Sequence, residues 1–417
     1  MPSQASRVVV VGGGAAGFFG AIACAESSRD QLEITILEGS SEVLQKVRIS
    51  GGGRCNVTHD QDDPRIFSQF YPRGSSALIG PLHRWRQSDT VAWFSAHGVD
   101  LTAESDGRMF PVTNRSSTVV DCLQQTASNL GITVTTGMGV RGIGIHSGEG
   151  FKITTRDKGE LSADAVLIAT GGVRNNLARA PVDSIQHALE PPVPSLFTFR
   201  IDDPELVDLA GISVASATMR VPERGLTVNG PVLITHWGLS GPAVLRMSAW
   251  GARELEACGY CFELQVDWSG GSESEASLRS KFSHQRQSHG ARRVNNSSIL
   301  SVVPRRLWGR LVRMAGIPED ILWSGLSKAQ ITALCRFVLG ETMQVDGKSM
   351  NKEEFVTCGG VALQDVDLTT MESRRVPGIY FAGEVLDIDG LTGGFNFQSA
   401  WTTGRIAGAS IAAGLQG

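Results

Sequence analysis

A run of glycines near the start of the chain has the spacing of a phosphate-binding turn. Four valines, Val8–Val11, lead into Gly12, Gly14 and Gly17, which form the pattern G-x-G-x-x-G. The first glycine permits a tight turn, the second lets backbone amides approach a pyrophosphate, and the third lets a helix pack against the strand. Glu38 ends a second apolar run, and its carboxylate could accept hydrogen bonds from a ribose diol. Together these residues predict a dinucleotide site.

The glycines need a strand before them and a helix after them. The run that follows Gly17 predicts that helix, whose N-terminus would offer unpaired N–H groups and the positive end of a helix dipole. A signal peptide or membrane span is the alternative interpretation of Val8–Ala25, because the run is uncharged and follows Arg7. Its three consecutive glycines and its lack of leucine argue against that alternative, which would also leave the following strand unexplained.

A second glycine-rich loop follows the dinucleotide unit closely. It carries small, polar and cationic residues: Lys46, Ser50, Gly51, Gly52, Arg54, Cys55 and Asn56. Successive glycine N–H groups can form an anion-binding nest, and the cations stand beside it. A flexible surface loop is the alternative, but the proximity to the first unit favours a cofactor contact.

Two further strand ends carry glycines. The run DAVLIATGG ends in Thr170, Gly171 and Gly172, as a buried parallel strand that enters a cofactor crevice would end. The strand IYFAG ends at a Gly-acid pair, and a glycine-led helix start follows it. This second group comprises Gly383, Glu384, Gly394, Phe395, Asn396 and Gln398. It could hold a ribityl–phosphate chain and direct a helix dipole at a flavin ring.

A second G-x-G-x-x-G pattern, at Gly137, Gly139 and Gly142, is interpreted differently. The residues after it alternate as a strand does and provide no helix N-terminus. We therefore predict a β-meander there and a single dinucleotide fold.

Composition limits the class of protein. The 417 residues suffice for two or three domains, and 19% charged with 41% hydrophobic residues suits a soluble globular enzyme. The net charge of -4 does not indicate a nucleic-acid binder as a whole. Seven cysteines without a disulfide rhythm predict a reduced, cytoplasmic chain. Prolines at 191, 192 and 194 mark a domain boundary, and the short strands beyond them predict an inserted β-barrel or sandwich.

The inserted region carries two candidates for chemistry. His236 precedes Ser240, a predicted helix N-cap, and Pro242 in the first helical turn. The histidine is either structural or a proton donor near a flavin. Cys258 and Cys261 have the spacing of a redox pair, but they fall at a helix-to-strand turn and no thioredoxin-like unit precedes them. Neither do second ligands follow at zinc spacing, so no metal site is predicted.

One stretch, residues 279–313, is strongly basic and contains no Asp or Glu. Its cations are Arg279, Lys281, Arg286, Arg292, Arg293, Arg305, Arg306, Arg310 and Arg313. A solvated helical face is one interpretation, and an anion or nucleic-acid footprint is the other.

The chain resembles the BaiN-like (YhiN-like) flavoproteins. The stretches that carry the resemblance span Val10 to Trp401: VVGGGAAG, ISGGGRCNVT, DGRMFP, ATGG, THWGLSGP, CGGV and FAGEVLDIDGLTGGFNFQSAW. The segments GGGRCN and AGEVLDIDG…GG are specific, whereas the first glycine pattern and ATGG occur in many flavoproteins.

The resemblance implies an α/β fold, with a Rossmann-type FAD-binding domain interrupted by an inserted β-barrel and a small helical subdomain. The implied bounds are 1–192 and 357–417 for the FAD-binding domain, 193–270 with 340–356 for the barrel, and 271–339 for the helical subdomain. The implied FAD contacts come from the two glycine-rich loops with Glu38 and from the two glycine-bearing strand ends, together with Ala15, Ala16, Gly39 and Val140. Val140 would contact adenine through its backbone. In full they are Gly12, Gly14, Ala15, Ala16, Glu38, Gly39, Lys46, Ser50, Gly51, Gly52, Arg54, Cys55, Asn56, Val140, Thr170, Gly171, Gly172, Gly383, Glu384, Gly394, Phe395, Asn396 and Gln398. Two positions depart from the common pattern: Glu384 stands where Asp is usual, and His59 where Asn is usual.

The resemblance also implies a reaction type. Relatives of this kind reduce conjugated double bonds in steroid-like acids, reduce uridine in ribosomal RNA, or oxidise a small amino ketone. We expect an FAD enzyme that passes hydride to a C=C bond, with NAD(P)H docking transiently as reductant. The basic stretch favours RNA as partner. A small-molecule enone reductase, an amine or ketone oxidase, and a non-catalytic FAD-binding protein are the alternatives.

Overall fold

The computed structural model describes residues 5–29, 32–146, 150–157, 159–296, 298–349 and 356–416. The chain divides into two compact units. The Rossmann unit combines Met1–Ser195 with Glu353–Gly417, and the inserted unit is Leu196–Lys352.

The first segment of the Rossmann unit alternates strands and helices. In chain order its elements are β1 (Arg7–Val11), α1 (Ala15–Ser27), β2 (Glu33–Leu37), α2 (Gln45–Gly53), β3 (Thr58–His59), α3 (Pro64–Ser68), α4 (Ser75–Arg84), α5 (Gln87–Ala96), β4 (Leu101–Ala103), β5 (Arg108–Pro111), α6 (Ser116–Asn129), β6 (Thr133–Thr135), β7 (Val140–His146), β8 (Gly150–Thr155), β9 (Glu160–Ala163), β10 (Ala165–Ile168), α7 (Asn176–Ser184) and β11 (Leu189–Ser195).

The inserted unit and the last segment follow. The inserted unit contains β12 (Thr198–Arg200), α8 (Pro204–Val207), β13 (Ser213–Val221), β14 (Leu226–Thr235), β15 (Gly238–Ser240), α9 (Pro242–Trp250), α10 (Ala252–Ala257), β16 (Cys261–Asp267), α11 (Glu275–His289), α12 (Arg305–Met314), α13 (Lys328–Gly340) and β17 (Glu341–Ser349). The last segment contains β18 (Val356–Val361), β19 (Val366–Asp367), β20 (Glu372–Ser373), β21 (Ile379–Phe381) and α14 (Phe395–Leu415).

The main sheet of the Rossmann unit has the strand order β19-β20-β21-β10-β1-β2-β6. The five strands from β21 to β6 run parallel, and β19 and β20 extend the sheet antiparallel. The central strands β1 and β10 are almost wholly apolar and buried, because helices cover both faces of such a sheet. The carboxyl ends of β1, β2, β10 and β21 therefore open at one edge, where α/β folds bind ligands.

Helices α1 and α14 cross at backbone contact distance. A Cβ atom on Gly404 would lie 2.7 Å from the Ala16 carbonyl oxygen, and one on Gly408 would lie 2.1 Å from the Gly20 oxygen. Neither position admits a side chain without displacing backbone. The glycines of this crossing thus set the distance between the two helices.

The second G-x-G-x-x-G pattern of the sequence lies in a meander, as predicted. Strands β7, β8 and β9 form a separate antiparallel sheet, and Gly142 is within β7. No helix begins there.

The inserted unit contains a closed barrel in the strand order β12-β15-β14-β13-β16-β17. Its core extends into the region of α11–α13, where Trp308 and Trp323 are fully buried. The prediction of a Rossmann-type fold with an inserted β-barrel is confirmed. One helix start is corrected: Gly241, not Ser240, caps α9, because Ser240 still pairs in β15. Among the described helices, none has both the length and the apolar character that crossing a bilayer requires.

Candidate functional site

The turn after β1 has the geometry that the glycine spacing predicted. Gly12 has φ +113°, and a Cβ there would lie 2.3 Å from the Ala169 oxygen at the end of β10. A Cβ on Gly17 would lie 1.9 Å from the Gly12 oxygen, so α1 starts directly against the turn. A Cβ atom added to Gly14 would have no neighbouring atom within 4 Å, so the space around this residue is open. The first turn of α1, which includes Ala15 and Ala16, therefore has N–H groups that a pyrophosphate could reach.

Glu38 is held rigidly at the end of β2. Its carboxylate accepts hydrogen bonds at 2.8 Å from the N–H of Gly13 and from the N–H and hydroxyl of Ser40. Each carboxylate oxygen has two lone pairs, so capacity for a ribose hydroxyl remains. The backbone contacts fix the direction in which that hydroxyl would be received.

Gly39 and Val140 lie on the same side of this turn. Built Cβ atoms on Gly39 and Gly139 would each lie 2.8 Å from a methyl carbon of Leu177, so both backbones pack on one side chain. Val140 follows Gly139 and is buried at the start of β7. The backbone of Val140 is thereby brought near the Glu38 segment, where the adenine contact was expected.

The second glycine loop interrupts α2. Ser50 is extended, and Gly51, Gly52 and Gly53 all have positive φ, a conformation that L-residues avoid. Gly52 and Gly53 face open space. A contact from the N–H groups of this run to an anion remains a prediction.

Cys55 and Asn56, which follow the glycines of this loop, have buried side chains. Cys55 is completely buried with φ +61°, and burial raises the pKa of its thiol to about 12. This thiol therefore stays protonated at neutral pH and does not act as a nucleophile. The Oδ1 atom of Asn56 is buried without any hydrogen-bond partner in the described chain. A buried amide oxygen without a partner is costly, and a bound ligand donor would satisfy it.

Arg54 is engaged within the protein. Its guanidinium lies 3.9 Å above the Phe110 ring, forms a 2.8 Å ion pair with Glu104 and contacts Asn114 at 3.4 Å. Its charge is therefore already partly compensated. A contact from Arg54 to a phosphate remains a prediction.

Three distant segments meet at Glu384. Lys46 of α2 forms an ion pair with its carboxylate, and the Thr357 N–H donates to Oε1 at 2.9 Å. A Cβ on Gly172 would lie 2.9 Å from the same Oε1 atom, and one on Gly171 would lie 3.9 Å from Oε2. The end of β10, which includes Thr170, is thus brought to the Gly383–Glu384 turn.

The N-terminus of α14 is fixed by residues of the other chain segment. Gly394 caps the helix with φ +95°, and a Cβ there would lie 2.4 Å from the Thr58 oxygen. The ring of Phe395 stacks on Phe70 at 4.4 Å and on His59 at 4.6 Å. His59 Nδ1 is 3.0 Å from the Gly393 oxygen, so the unusual histidine of the sequence supports this loop.

Two predicted contact residues hold the protein itself in place. Asn396 forms 2.8 Å hydrogen bonds to both the N–H and the C=O of Gly390. Gln398 is fully buried, accepts from Thr58 and donates to Thr90 and Thr402. These amides position the helix start, so whatever α14 offers a ligand comes from its backbone N–H groups.

Sequence reasoning missed a buried ion pair of the Rossmann unit. Asp389 is fully buried and binds Arg73 in a two-point ion pair, and the Ser195 hydroxyl donates to it at 2.9 Å. Burial raises the pKa of Asp389, against the opposing effect of Arg73 and Ser195. The acid of the segment DIDG was the signal in the sequence, but its partners are far away along the chain.

The structure assigns the remaining candidates to the inserted unit. His236 is exposed at the turn between β14 and β15, with its ring edge-on to Trp237 at 4.1 Å. His236 belongs to the inserted unit, whereas the predicted cofactor residues belong to the Rossmann unit. Its role as a proton donor remains a prediction. Cys258 and Cys261 flank the turn between α10 and β16, and their thiols bond to the backbone oxygens of Leu255 and Gly259.

The basic stretch is not a uniform cationic face. Acids from outside it neutralise several of its cations: Arg279 pairs with Glu275, Lys281 with Glu273, Arg310 with Glu341 and Asp203, and Arg313 with Glu205. In the part of the chain that the structure describes, Arg292, Arg293, Arg305 and Arg306 have no carboxylate partner. Folding therefore concentrates the available charge on fewer residues than the sequence indicated.

The Rossmann unit fits FAD as a cofactor. The open glycine turns, the two helix N-termini of α1 and α14, the fixed Glu38 carboxylate and the unpartnered Asn56 oxygen all lie in this unit. These groups have the chemistry that the pyrophosphate, ribose and flavin parts of FAD require, and their individual contacts remain predictions.

Known proteins resemble this chain along nearly its whole length. It is 28% identical over 415 residues to the 3-dehydro-bile acid delta(4,6)-reductase of Clostridium scindens, covering 98% of this chain and 99% of that protein. It is also 28% identical over 405 residues to the ribosomal RNA dihydrouridine synthase of Escherichia coli, covering 95% of each.

A solved structure shares the fold. The 3-ketosteroid-delta4-(5alpha)-dehydrogenase of Rhodococcus jostii RHA1 superposes with a TM-score of 0.53 at 12% identity, covering 99% of this chain and 98% of that one. Residues 6–410 match the HI0933-like protein Rossmann domain. The resemblance inferred from the motifs is confirmed, and the chain belongs to the HI0933-like Rossmann family of FAD-dependent oxidoreductases.

Proposed function

We propose that this FAD-dependent oxidoreductase reduces a conjugated C=C bond, with NAD(P)H as a transient reductant. The observation that carries the proposal is the geometry of the Rossmann unit, where the open turn at Gly12–Ala16, the Ser50–Asn56 loop and the start of α14 would contact a dinucleotide. The two relatives described above have names that denote the reduction of double bonds. Both cover nearly the whole chain, which supports the same reaction class here.

The residues of the Rossmann unit would bind and orient the cofactor. FAD, when bound, supplies the hydride. The N–H groups of the first turn of α1 would bind its pyrophosphate, and Glu38 would accept a ribose hydroxyl. The glycine loop and Asn56 would contact the ribityl and flavin end, where α14 directs the positive end of its dipole. Cys55 is buried beside this loop, and the raised pKa of its thiol keeps it protonated at neutral pH.

Reduction of a C=C bond also needs a proton on the second carbon. We propose His236 as its donor, because it is an exposed imidazole at a hairpin turn and imidazole is a common general acid in enzymes. Its test is His236→Gln, with the exposed His284→Gln of the same unit as control. We expect the first variant to slow substrate reduction, while flavin reduction by NAD(P)H stays unchanged. Equal rates in both variants would remove His236 from the reaction.

The partner we propose is RNA, with uridine as the reduced group. The support is a set of exposed arginines that have no carboxylate partner among the residues the structure describes, namely Arg292, Arg293, Arg305 and Arg306. Uridine C5–C6 reduction would require the base to leave its stack. A cytoplasmic location is part of this proposal and rests on the seven free cysteines.

Anaerobic flavin spectroscopy tests the reaction class. The holoprotein is titrated with NADH and with NADPH, and the reduced flavin is then mixed with a steroid-like enone or with a uridine oligonucleotide. We expect one nucleotide to bleach the flavin and one acceptor to restore its colour. Restoration by air alone would indicate an oxidase. Absence of bleaching by either nucleotide would favour a binding protein without turnover.

A further inference from the structure

A polar groove opens on the inserted unit, and none of the predicted cofactor residues lines it. Its volume is about 510 Å³, within the range of small-ligand pockets. The groove is lined by Asp208, Leu209, Asn295, Asn296, Arg305, Arg306, Gly309 and Arg313. All of these residues belong to the inserted unit, which therefore forms the groove by itself.

The groove is net positive. It brings three guanidinium groups to one carboxylate, that of Asp208. Arg305 has no ion pair among the described residues, and Arg306 donates to the backbone oxygen of Asp208 rather than to its carboxylate. Arg313 reaches Glu205 at 3.7 Å, in a pair that is about half exposed and so weakly held. Positive charge therefore remains available to an incoming anion.

The groove is shaped by a glycine in α12. Gly309 is buried one turn after Arg305, and a Cβ there would lie 2.8 Å from Asn295 Oδ1 and 3.9 Å from an Nη atom of Arg313. The missing side chain lets the Asn295 amide lie against the helix between the arginines. Arg305 and Arg306, which line the groove, are the first two residues of this helix, whose N-terminus has no side-chain cap.

We propose that this groove binds a phosphate group carried by an RNA strand or by a free nucleotide. Guanidinium groups bind phosphate oxygens in a two-point geometry, and the two asparagine amides can donate to or accept from ribose hydroxyls and base edges. The RNA source rests on the proposed RNA partner. The free-nucleotide source does not depend on it.

Fluorescence anisotropy of a labelled short oligouridylate tests the proposal on the holoprotein. The test variant is Arg305→Ala combined with Arg306→Ala, two exposed residues of α12. The control is Arg279→Ala combined with Lys281→Ala, which removes the same charge from α11 of the same unit, where both cations are ion-paired. We expect the test variant to lose affinity at least tenfold and the control to lose little.

Salt dependence separates contact from general attraction. For single strands the slope of log K against log salt changes by about 0.7 per phosphate contact. The test variant should therefore lose about 0.7 to 1.4 of that slope, corresponding to one or two contacts. An equal loss of slope and affinity in the control variant overturns the proposal.

Competition with ADP and with inorganic phosphate distinguishes the two sources. Tight oligouridylate binding that ADP does not displace identifies a strand. Direct ADP binding that the test variant loses, with no advantage for the oligonucleotide, identifies a free nucleotide. Binding of both probes at wild-type strength by the test variant, or binding of neither by the wild type, refutes the site. Flavin content and flavin bleaching are measured in parallel, so failure of the reductase proposal is recorded independently.

Discussion

The crossing of α1 and α14 offers a sharp test, because local propensity and packing predict opposite signs. Replacing Gly408 by alanine should stabilise α14 as an isolated helix by about 0.5–1 kcal/mol. At the crossing, however, the new Cβ would lie 2.1 Å from the Gly20 oxygen and 2.8 Å from the Cys24 nitrogen. Both contacts are backbone atoms, which cannot rotate away.

The magnitude follows from that distance. Ordinary contact begins at 3.4 Å, so the two helices would have to separate by about 1 Å. Overpacking of this kind costs about 1–3 kcal/mol, occasionally more. After the gain in helix propensity, we expect a net loss of about 1–2 kcal/mol, which lowers the melting temperature by several degrees. The N-termini of α1 and α14 would also shift apart, so FAD affinity should fall.

Gly414→Ala is the matched control in the same helix. Gly414 is exposed, and the nearest atom to a built Cβ is the Tyr380 hydroxyl at 3.5 Å. This variant should be neutral or slightly stabilised. The measurement is thermal unfolding followed by circular dichroism, with FAD release followed by fluorescence. A Gly408→Ala protein as stable as Gly414→Ala would refute the reasoning about the crossing.

Three further predictions concern buried groups. Arg310→Met should cost about 3–5 kcal/mol in urea unfolding, because it leaves the buried Glu341 charge without its partner. Adding Glu341→Gln should recover part of the loss, and no recovery would contradict that explanation. Asn56→Ala should weaken FAD binding about tenfold in fluorescence titration, or about 1.4 kcal/mol, with the apoprotein's melting temperature unchanged. An unaltered FAD affinity would show that Oδ1 meets no ligand. A thiol reagent at neutral pH should label exposed Cys261 rapidly and leave Cys55 unreacted until unfolding, because burial raises the pKa of Cys55 to about 12. If the Cys261→Ser protein were labelled as rapidly as the wild type, Cys261 would not be the reactive thiol.

The local chemistry of the first turn could be predicted from the sequence, because its determinants are adjacent in the chain. The roles of Gly12 and Gly17 depend on a strand and a helix that directly flank them. Likewise the meander at Gly142 could be distinguished from a second dinucleotide fold by the alternation of the residues after it.

Long-range pairing could not be predicted in the same way. The basic stretch contains no acid in sequence, yet Glu341 and Asp203 neutralise Arg310 from strands and loops far from it. Asn396 and Gln398 are residue types that often bind ligands, but their side-chain amides form hydrogen bonds to other residues of the protein. One-dimensional patterns record which groups are polar, and only packing decides which of them stay available.

Strand pairing at the ends of the inserted unit has a consequence for how the chain folds. Within that unit, Thr198 of β12 pairs with Ser349 of β17, so the barrel closes on its own two ends. Within the Rossmann unit, Ser195 of β11 pairs with Val356 of β18.

A flexible loop as long as the insertion would cost about 2 kcal/mol more to close than a connection of about ten residues. An insertion that folds first removes that entropic penalty. It emerges from the ribosome before β18, β21 and α14, and once folded it presents the late segment beside the early one. The order of synthesis and the order of assembly then coincide. Strand β21 can pair with β10 after closing a short gap instead of a long flexible loop.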